Sequence, residues 1–260
     1  MYKPFFQSVS SQARVASSTA DGYTLLLATT GVLAINQWIY EKPAYHPERD
    51  FAPITNAAST PNIVVVNPLV RASSLSELVS LAKAEPGQLT FASAGNGSTS
   101  HICGETLKVI EGVDIVHVPY QGPAPAIQDV LGGRVSMICD NLSNVVQQVR
   151  SGTLKPIVVT ASAPSKALPN VPTSSQAGSP DLLAGIWYGF VAPSATPKNV
   201  IETLNKAIVD ALRDPSVADR LEGIGLAVIA DKPDEFGAFI AKESARMESI
   251  VTRAKAKIYN

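Results

Sequence analysis

Residues 89–107, "LTFASAGNGSTSHICGETL", carry the chain from an apolar run through a loop of glycine, serine, threonine and asparagine into a helix. If the apolar stretch 89–94 is a strand and the helix begins near Ser98, the N–H groups of the first helical turn point into the loop mouth. Their partial positive charge there favours a carboxylate or a phosphate. Gly95 and Gly97 allow a close approach to the backbone, and the hydroxyls of Ser93, Ser98, Thr99 and Ser100 add donors. The competing reading is that Ser98 or Thr99 does no more than cap its own helix. The loop by itself leaves both readings open.

Enzyme signatures can be tested against the same loop. A phosphate-binding P-loop needs Gly-Lys-Ser/Thr, and no lysine lies between Gly95 and His101. "GNGSTS" is not the G-x-S-x-G of a nucleophile elbow. A dinucleotide fingerprint would place Ser100 where a third glycine belongs, and Asp114 precedes the next strand instead of ending it. Ser98 and His101 are near neighbours on the helix, but no orienting carboxylate accompanies them. The sequence therefore favours binding over catalysis, and no catalytic residue is assigned.

The next two strand ends extend the pattern. "VHVPYQGPAPAIQDVLGG" (116–133) puts Tyr120, Gln121 and Gly122 before a helix, and "CDNLSN" (139–144) puts Asp140 and Asn141 before another. In parallel α/β sheets the carboxyl ends of strands face one edge, where ligands bind. Three polar junctions on one edge point to a small-molecule site. Beyond them the chain reads as strands alternating with helices, an α/β architecture with largely parallel sheets. "PITNAAS" and "NIVVVN" read as separate strands. Ser74 and Glu77 mark one helix start, and Thr196 with Pro197 marks another. A Pro-, Ser- and Gly-rich segment, 163–185, reads as a long loop before the strand "IWYGFVAP".

Composition narrows the function classes. With 260 residues, 45% hydrophobic and 17% charged, the chain is an ordinary globular protein with room for one large domain or two modest ones. A net charge of −1 without a Lys/Arg run gives no sign of nucleic acid as a partner. His46, His101 and His117 lack metal-site spacing, so no metal and no cofactor are expected. Cys103 and Cys139 both lie in apolar contexts and read as buried free thiols in preference to the alternative, a disulfide. Trp187 reads equally as a residue over the ligand or as core. No secretory signal opens the sequence.

Taken in order, "ADGYTLLLATTG" with "AIN", "DFAPIT", "FASAGNGSTSH", "VHVPYQGPAPAIQDVLGG", "CDNLSN", "LPNVPT", "WYGFVAPSATP" and "LNKAIVDALRDP" resemble the Bug (Bordetella uptake gene) receptors of tripartite tricarboxylate transporters, from about Val9 to Ile258. The resemblance implies an α/β, two-lobed type II periplasmic-binding-protein fold with a ligand cleft between the lobes. Residues 1–67 and 188–260 would form the first lobe and 68–187 the second. It implies a periplasmic, non-enzymatic receptor that captures a small carboxylate or dicarboxylate for membrane transporter subunits.

The resemblance also assigns residues. Thr30 matches a Ser/Thr facing the ligand from the first lobe, and Ser93, Gly95, Gly97 and Ser98 match the second-lobe loop that receives a carboxylate. His101 matches a histidine of the following helix, and Tyr120 matches a tyrosine that the family usually follows with lysine, where Gln121 stands here. Asp140 matches an acidic position that accepts an amino group or a water. The family's opening strand, Pro/Gly-rich loop and helix have at most a remnant in residues 1–24. That departure implies an N-terminally incomplete first lobe, less stable than the second and prone to self-association. The alternatives are an α/β enzyme using the same cleft and a family member that no longer binds.

Overall fold

The computed structural model describes residues 6–41 and 43–253. The chain divides into two compact units: one from residues 1–59, 187–220 and 227–260, the other from 60–186 and 221–226. Residues 60–67, read from sequence with the first lobe, thus go with the second unit. Residues 1–5, part of the N-terminal segment singled out above, lie outside the described residues, as does Ile258.

The first unit opens with α1 (Phe6–Ala16), β1 (Leu26–Thr29), a π-helical turn (Gly31–Ile35), α2 (Asn36–Ile39) and α3 (Pro47–Asp50). From there β2 (Phe51–Val66) runs into the second unit. This single strand replaces the two predicted around Pro61. Proline lacks an N–H but fixes a φ that an extended chain already has, so it need not end the strand. Asn62 N–H resumes the hydrogen bonding at once, donating to Ala184 C=O (2.9 Å).

The second unit continues with α4 (Leu75–Ala84), β3 (Thr90–Ser93), α5 (Thr99–Glu111), β4 (Val116–Pro119), α6 (Pro123–Leu131), β5 (Met137–Asn141), α7 (Leu142–Arg150) and β6 (Lys155–Val159). Its strand order is β6–β2–β5–β3–β4. Among the named strands of this unit β3 pairs in parallel with β4 and β5, and β2 runs antiparallel to β5 and β6. The expectation of largely parallel sheets gives way to mixed ones, because β2 arrives from the other unit and not through a helical crossover. Alternation along β2 explains why "IVVV" is apolar throughout. Val64 and Val66 pack on one face with Phe91, Leu78 and Leu107, while Ile63 and Val65 pack on the other with Val130, Val145 and Ile138. Helices α4 and α5 cover the first face, and α6 and α7 cover the second.

The chain returns along β7 (Gly185–Pro193) to α8 (Lys198–Leu212), α9 (Pro215–Gly223), β8 (Ala227–Val228) and α10 (Pro233–Arg253). In the first unit β7 pairs antiparallel with β1 and β8 with β2. Gly189 of β7 has to be glycine, because a Cβ there would overlap the Phe236 ring of α10. The Ser74 cap of α4 forms as read, its Oγ accepting from Glu77 N–H (3.2 Å). At α8 the cap position falls on Pro197, and Thr196 Oγ1 donates to Pro193 C=O (2.7 Å) instead of capping.

Cys103 and Cys139 are not free thiols: they form a disulfide, with their Cα atoms 6.0 Å apart. Cys103 on α5 faces Cys139 on β5 within one core, at a separation that suits the bond. Composition could not foresee this, since the pairing depends on how α5 packs on the sheet.

Candidate functional site

The loop between β3 and α5 is held by its own side chains. Gly95 (φ 121°) and Gly97 (φ 79°) adopt backbone conformations closed to most residues. Ser98 is the N-cap of α5: its Oγ accepts from His101 N–H (3.2 Å) and donates to Gly95 C=O (2.6 Å). Ser100 Oγ accepts from Ala94 N–H (2.9 Å) and lies 2.9 Å from Ser98 Oγ. Ser93, fully buried, accepts from Gly95 N–H (3.2 Å) and meets His117 Nε2 at 2.6 Å. Ser93 and Ser98 thus bind the loop to itself.

Two imidazoles brace this loop from below. His101 Nδ1 accepts from Gly97 N–H (3.2 Å), which places the proton of the neutral ring on Nε2. Its ring stacks on His117 (4.3 Å between centroids), and His117 stacks on Phe91 (4.7 Å). Burial, then His117 and Lys108, push His101 down to about 4; burial, then Lys108, push His117 down to about 4. Both rings are therefore neutral at neutral pH, and the column is a structural support.

Four N–H groups at this helix start have defined fates. Those of Gly97, Ser98 and His101 are bonded within the loop, to His101 Nδ1, Gly95 C=O and Ser98 Oγ. Ile102 N–H closes the first helical bond to Ser98 C=O. The N–H groups of Thr99 and Ser100 have no hydrogen-bond partner among the described residues. Beside them, Thr99 Oγ1 donates to Asn141 Oδ1 (3.2 Å), and Asn62 Nδ2 donates to Thr99 C=O (3.2 Å). Asn62 and Asn141 are direct partners across β2 and β5. Asn141 was named from sequence only as part of the third polar junction, and Asn62 was not singled out. Asn62 stands at the head of an apolar run, and its neighbour Thr99 comes 37 residues later.

The other second-unit candidates are engaged elsewhere. Tyr120 donates its hydroxyl to Asp129 (2.5 Å), which also pairs with Arg134, and burial with that contact pushes the phenol up to about 12. Asp140 is buried, one carboxylate oxygen accepting from Asn141 N–H (2.8 Å) and the other from Asn144 Nδ2 (3.2 Å). Burial pushes Asp140 up to about 6 against those two hydrogen bonds. In the first unit, Thr30 is buried and its Oγ1 accepts from Trp187 N–H (2.9 Å). Trp187 is core, edge-on to Phe236 and Phe239, and its indole N–H has no partner among the described residues. No group of three or more His, Cys, Asp or Glu that could hold a metal occurs among the described residues.

The model of the tripartite tricarboxylate transporter family receptor matches residues 3–255. The chain belongs to that receptor family. BugT of Bordetella pertussis is 33% identical over 244 residues, covering 94% of this chain and 75% of BugT. Among solved structures, R. palustris Rpa4515 with adipate superposes with a TM-score of 0.89 at 31% identity, covering 95% of this chain and 83% of that one. MatC (Rpa3494) from Rhodopseudomonas palustris with bound malate gives 0.85 at 31%, covering 94% and 84%. The fold is the two-lobed periplasmic-binding-protein fold of this receptor family. Family members of this kind are substrate-binding receptors and not enzymes. No described helix is long and apolar enough to cross a membrane.

Proposed function

We propose that this receptor captures a small carboxylate and delivers it to the membrane subunits of a tripartite tricarboxylate-type transporter. One observation carries the reading: the N–H groups of Thr99 and Ser100 stand open at the first turn of a 13-residue helix. The helix dipole and two consecutive donors suit one carboxylate group. The matching residues of the resemblance, Gly95, Gly97, Ser98 and Ser93, build the loop that presents those donors, and His101 supports it from behind. Tyr120, Asp140 and Thr30 are held by Asp129, Asn141 and Trp187, and the reading does not rest on them. The adipate and malate of the two similar structures are acids of the expected class. A periplasmic location agrees with the Cys103–Cys139 disulfide, since such bonds persist in oxidising compartments.

A thermal-shift screen against mono- and dicarboxylic acids, followed by calorimetry, tests this directly, because a ligand bound only by the native state raises the melting temperature. Gly97→Val is the matched control. At φ 79° a β-branched residue is strained, so the loop must change shape. Acid affinity should fall by about 100-fold or more, with the native circular dichroism retained, since two charge-assisted hydrogen bonds depend on the loop. Undiminished affinity in that variant would place the ligand elsewhere.

A further inference from the structure

Beside the open N–H groups of α5 lies an acceptor with nothing to accept. Asn62 is fully buried, and its Oδ1 has no hydrogen-bond partner among the described residues. Its orientation is fixed by the other end of the amide, because Nδ2 donates to Thr99 C=O (3.2 Å) and could not do so if the amide were turned over. The amide is thus anchored through its Nδ2 to Thr99, a residue of the first turn of α5. Asn141, across the strand pair, donates its amide to no group among the described residues, its Oδ1 being held by Thr99 Oγ1. The neighbourhood offers donors for a carboxylate and, at Asn62, one acceptor.

We propose that the acid bound at α5 carries a hydroxyl near its carboxylate, and that Asn62 Oδ1 accepts the hydroxyl hydrogen and so sets specificity for hydroxy acids over plain acids. The inference rests on the carboxylate reading of the α5 loop and adds the ligand class. A buried carbonyl oxygen without a partner is unfavourable, and native proteins rarely leave one unsatisfied. A hydroxyl from the ligand removes that penalty, whereas an unsubstituted acid leaves it in place. A neutral amide oxygen suits a neutral hydroxyl better than an ammonium group, whose buried charge calls for an anionic partner. Asp140 is the buried carboxylate of these junctions, and both its oxygens are engaged by Asn141 and Asn144.

Calorimetry on the whole chain with three matched sets tests the assignment: propionate, lactate and alanine; succinate, malate and aspartate; glutarate, 2-hydroxyglutarate and glutamate. In the set that binds, the hydroxy acid should exceed the plain acid by about 10- to 100-fold, the scale of one buried hydrogen bond gained or left unmade. Asn62→Leu, similar in volume, should bring that ratio close to one. Asn62→Ala should do the same without crowding, which covers a failure of the leucine variant to fold. Equal affinities for plain and hydroxy acids, or a ratio that survives in both variants, would overturn the role of Asn62. A preference for the amino acid would overturn the hydroxyl assignment. Absence of binding in all three sets would overturn this inference, and the carboxylate reading falls with it only if the wider acid screen also finds no binder.

Discussion

The start of α5 and the start of α7 are the same kind of place: a helix opening at the end of a strand in the second unit, with polar residues at the junction. They differ in what their polar groups do. At α7 the junction closes on itself, because Asp140 takes up Asn141 N–H and the Asn144 amide. At α5, Ser98, Ser100 and His101 hold the loop in shape while the donors of Thr99 and Ser100 remain open. Capping and binding are therefore not rival descriptions of a serine-rich helix start. In α5 the cap shapes the loop and leaves over the N–H groups proposed as the site.

The two junctions are physically joined by the Cys103–Cys139 disulfide, one cysteine in α5 and the other immediately before Asp140. The largest expected effect comes from removing it. Closing a loop of 36 residues stabilises a fold by about 3–4 kcal/mol in the chain-entropy model. Cys103→Ala with Cys139→Ala should lower stability in urea by that amount and loosen both helix starts together. A denaturation midpoint equal to that of the parent would show that packing alone sets their separation.

Acid should separate the junctions. His101 and His117 have folded-state values near 4, below the ordinary histidine value of 6.5, so their contribution is complete above pH 6.5 and is lost as pH falls toward 4. Asp140 works in the opposite sense: its carboxyl is raised to about 6 from 3.8, so the penalty for burying its charge is relieved over the same fall. Hydrogen exchange between pH 7 and pH 5, corrected for intrinsic rates, should reveal lost protection at residues 94–101 and none at 141–145. A parallel loss at both would mean that the imidazole column does not support the α5 loop in particular. The smallest effect is expected at the closed junction. Asp140→Asn keeps the shape and one acceptor oxygen, so acid affinity should change by less than about threefold, within the scale of a single neutral hydrogen bond. A loss of about 100-fold on calorimetry would instead make Asp140 a direct ligand contact.

Much of this was legible in the sequence, and the reasons are local. The loop of residues 93–98, the Ser74 cap and the three strand-to-helix junctions are written in neighbouring residues, where glycine geometry and hydroxyl capping act over three or four positions. What was not legible acts at a distance. Cys103 meets Cys139 only because α5 packs on β5, and Asn62 meets Thr99 only because β2 pairs with β5. His117, within the quoted motif of residues 116–133 but assigned no role there, gains one from the parallel register that sets it beside Phe91. The merging of two expected strands into β2 has the same origin, since "ITNAASTPN" reads as a break until the partners on either side of it are known.

The central claim is that open backbone N–H groups at the first turn of α5 hold the carboxylate, and Thr99→Pro tests it at a single atom. Proline is tolerated at the first helical position, where no helical bond is lost, and Ser98 already has the extended backbone (φ −70°, ψ 159°) that a following proline requires. Thr99→Val keeps the N–H and removes only the hydroxyl, and so controls for the bond to Asn141. Calorimetry with the tightest acid of the screen should give a loss of about 10-fold or more for the proline variant relative to the valine variant, the scale of one hydrogen bond to a charged group. Equal affinity in the two, with both folded, would contradict the account.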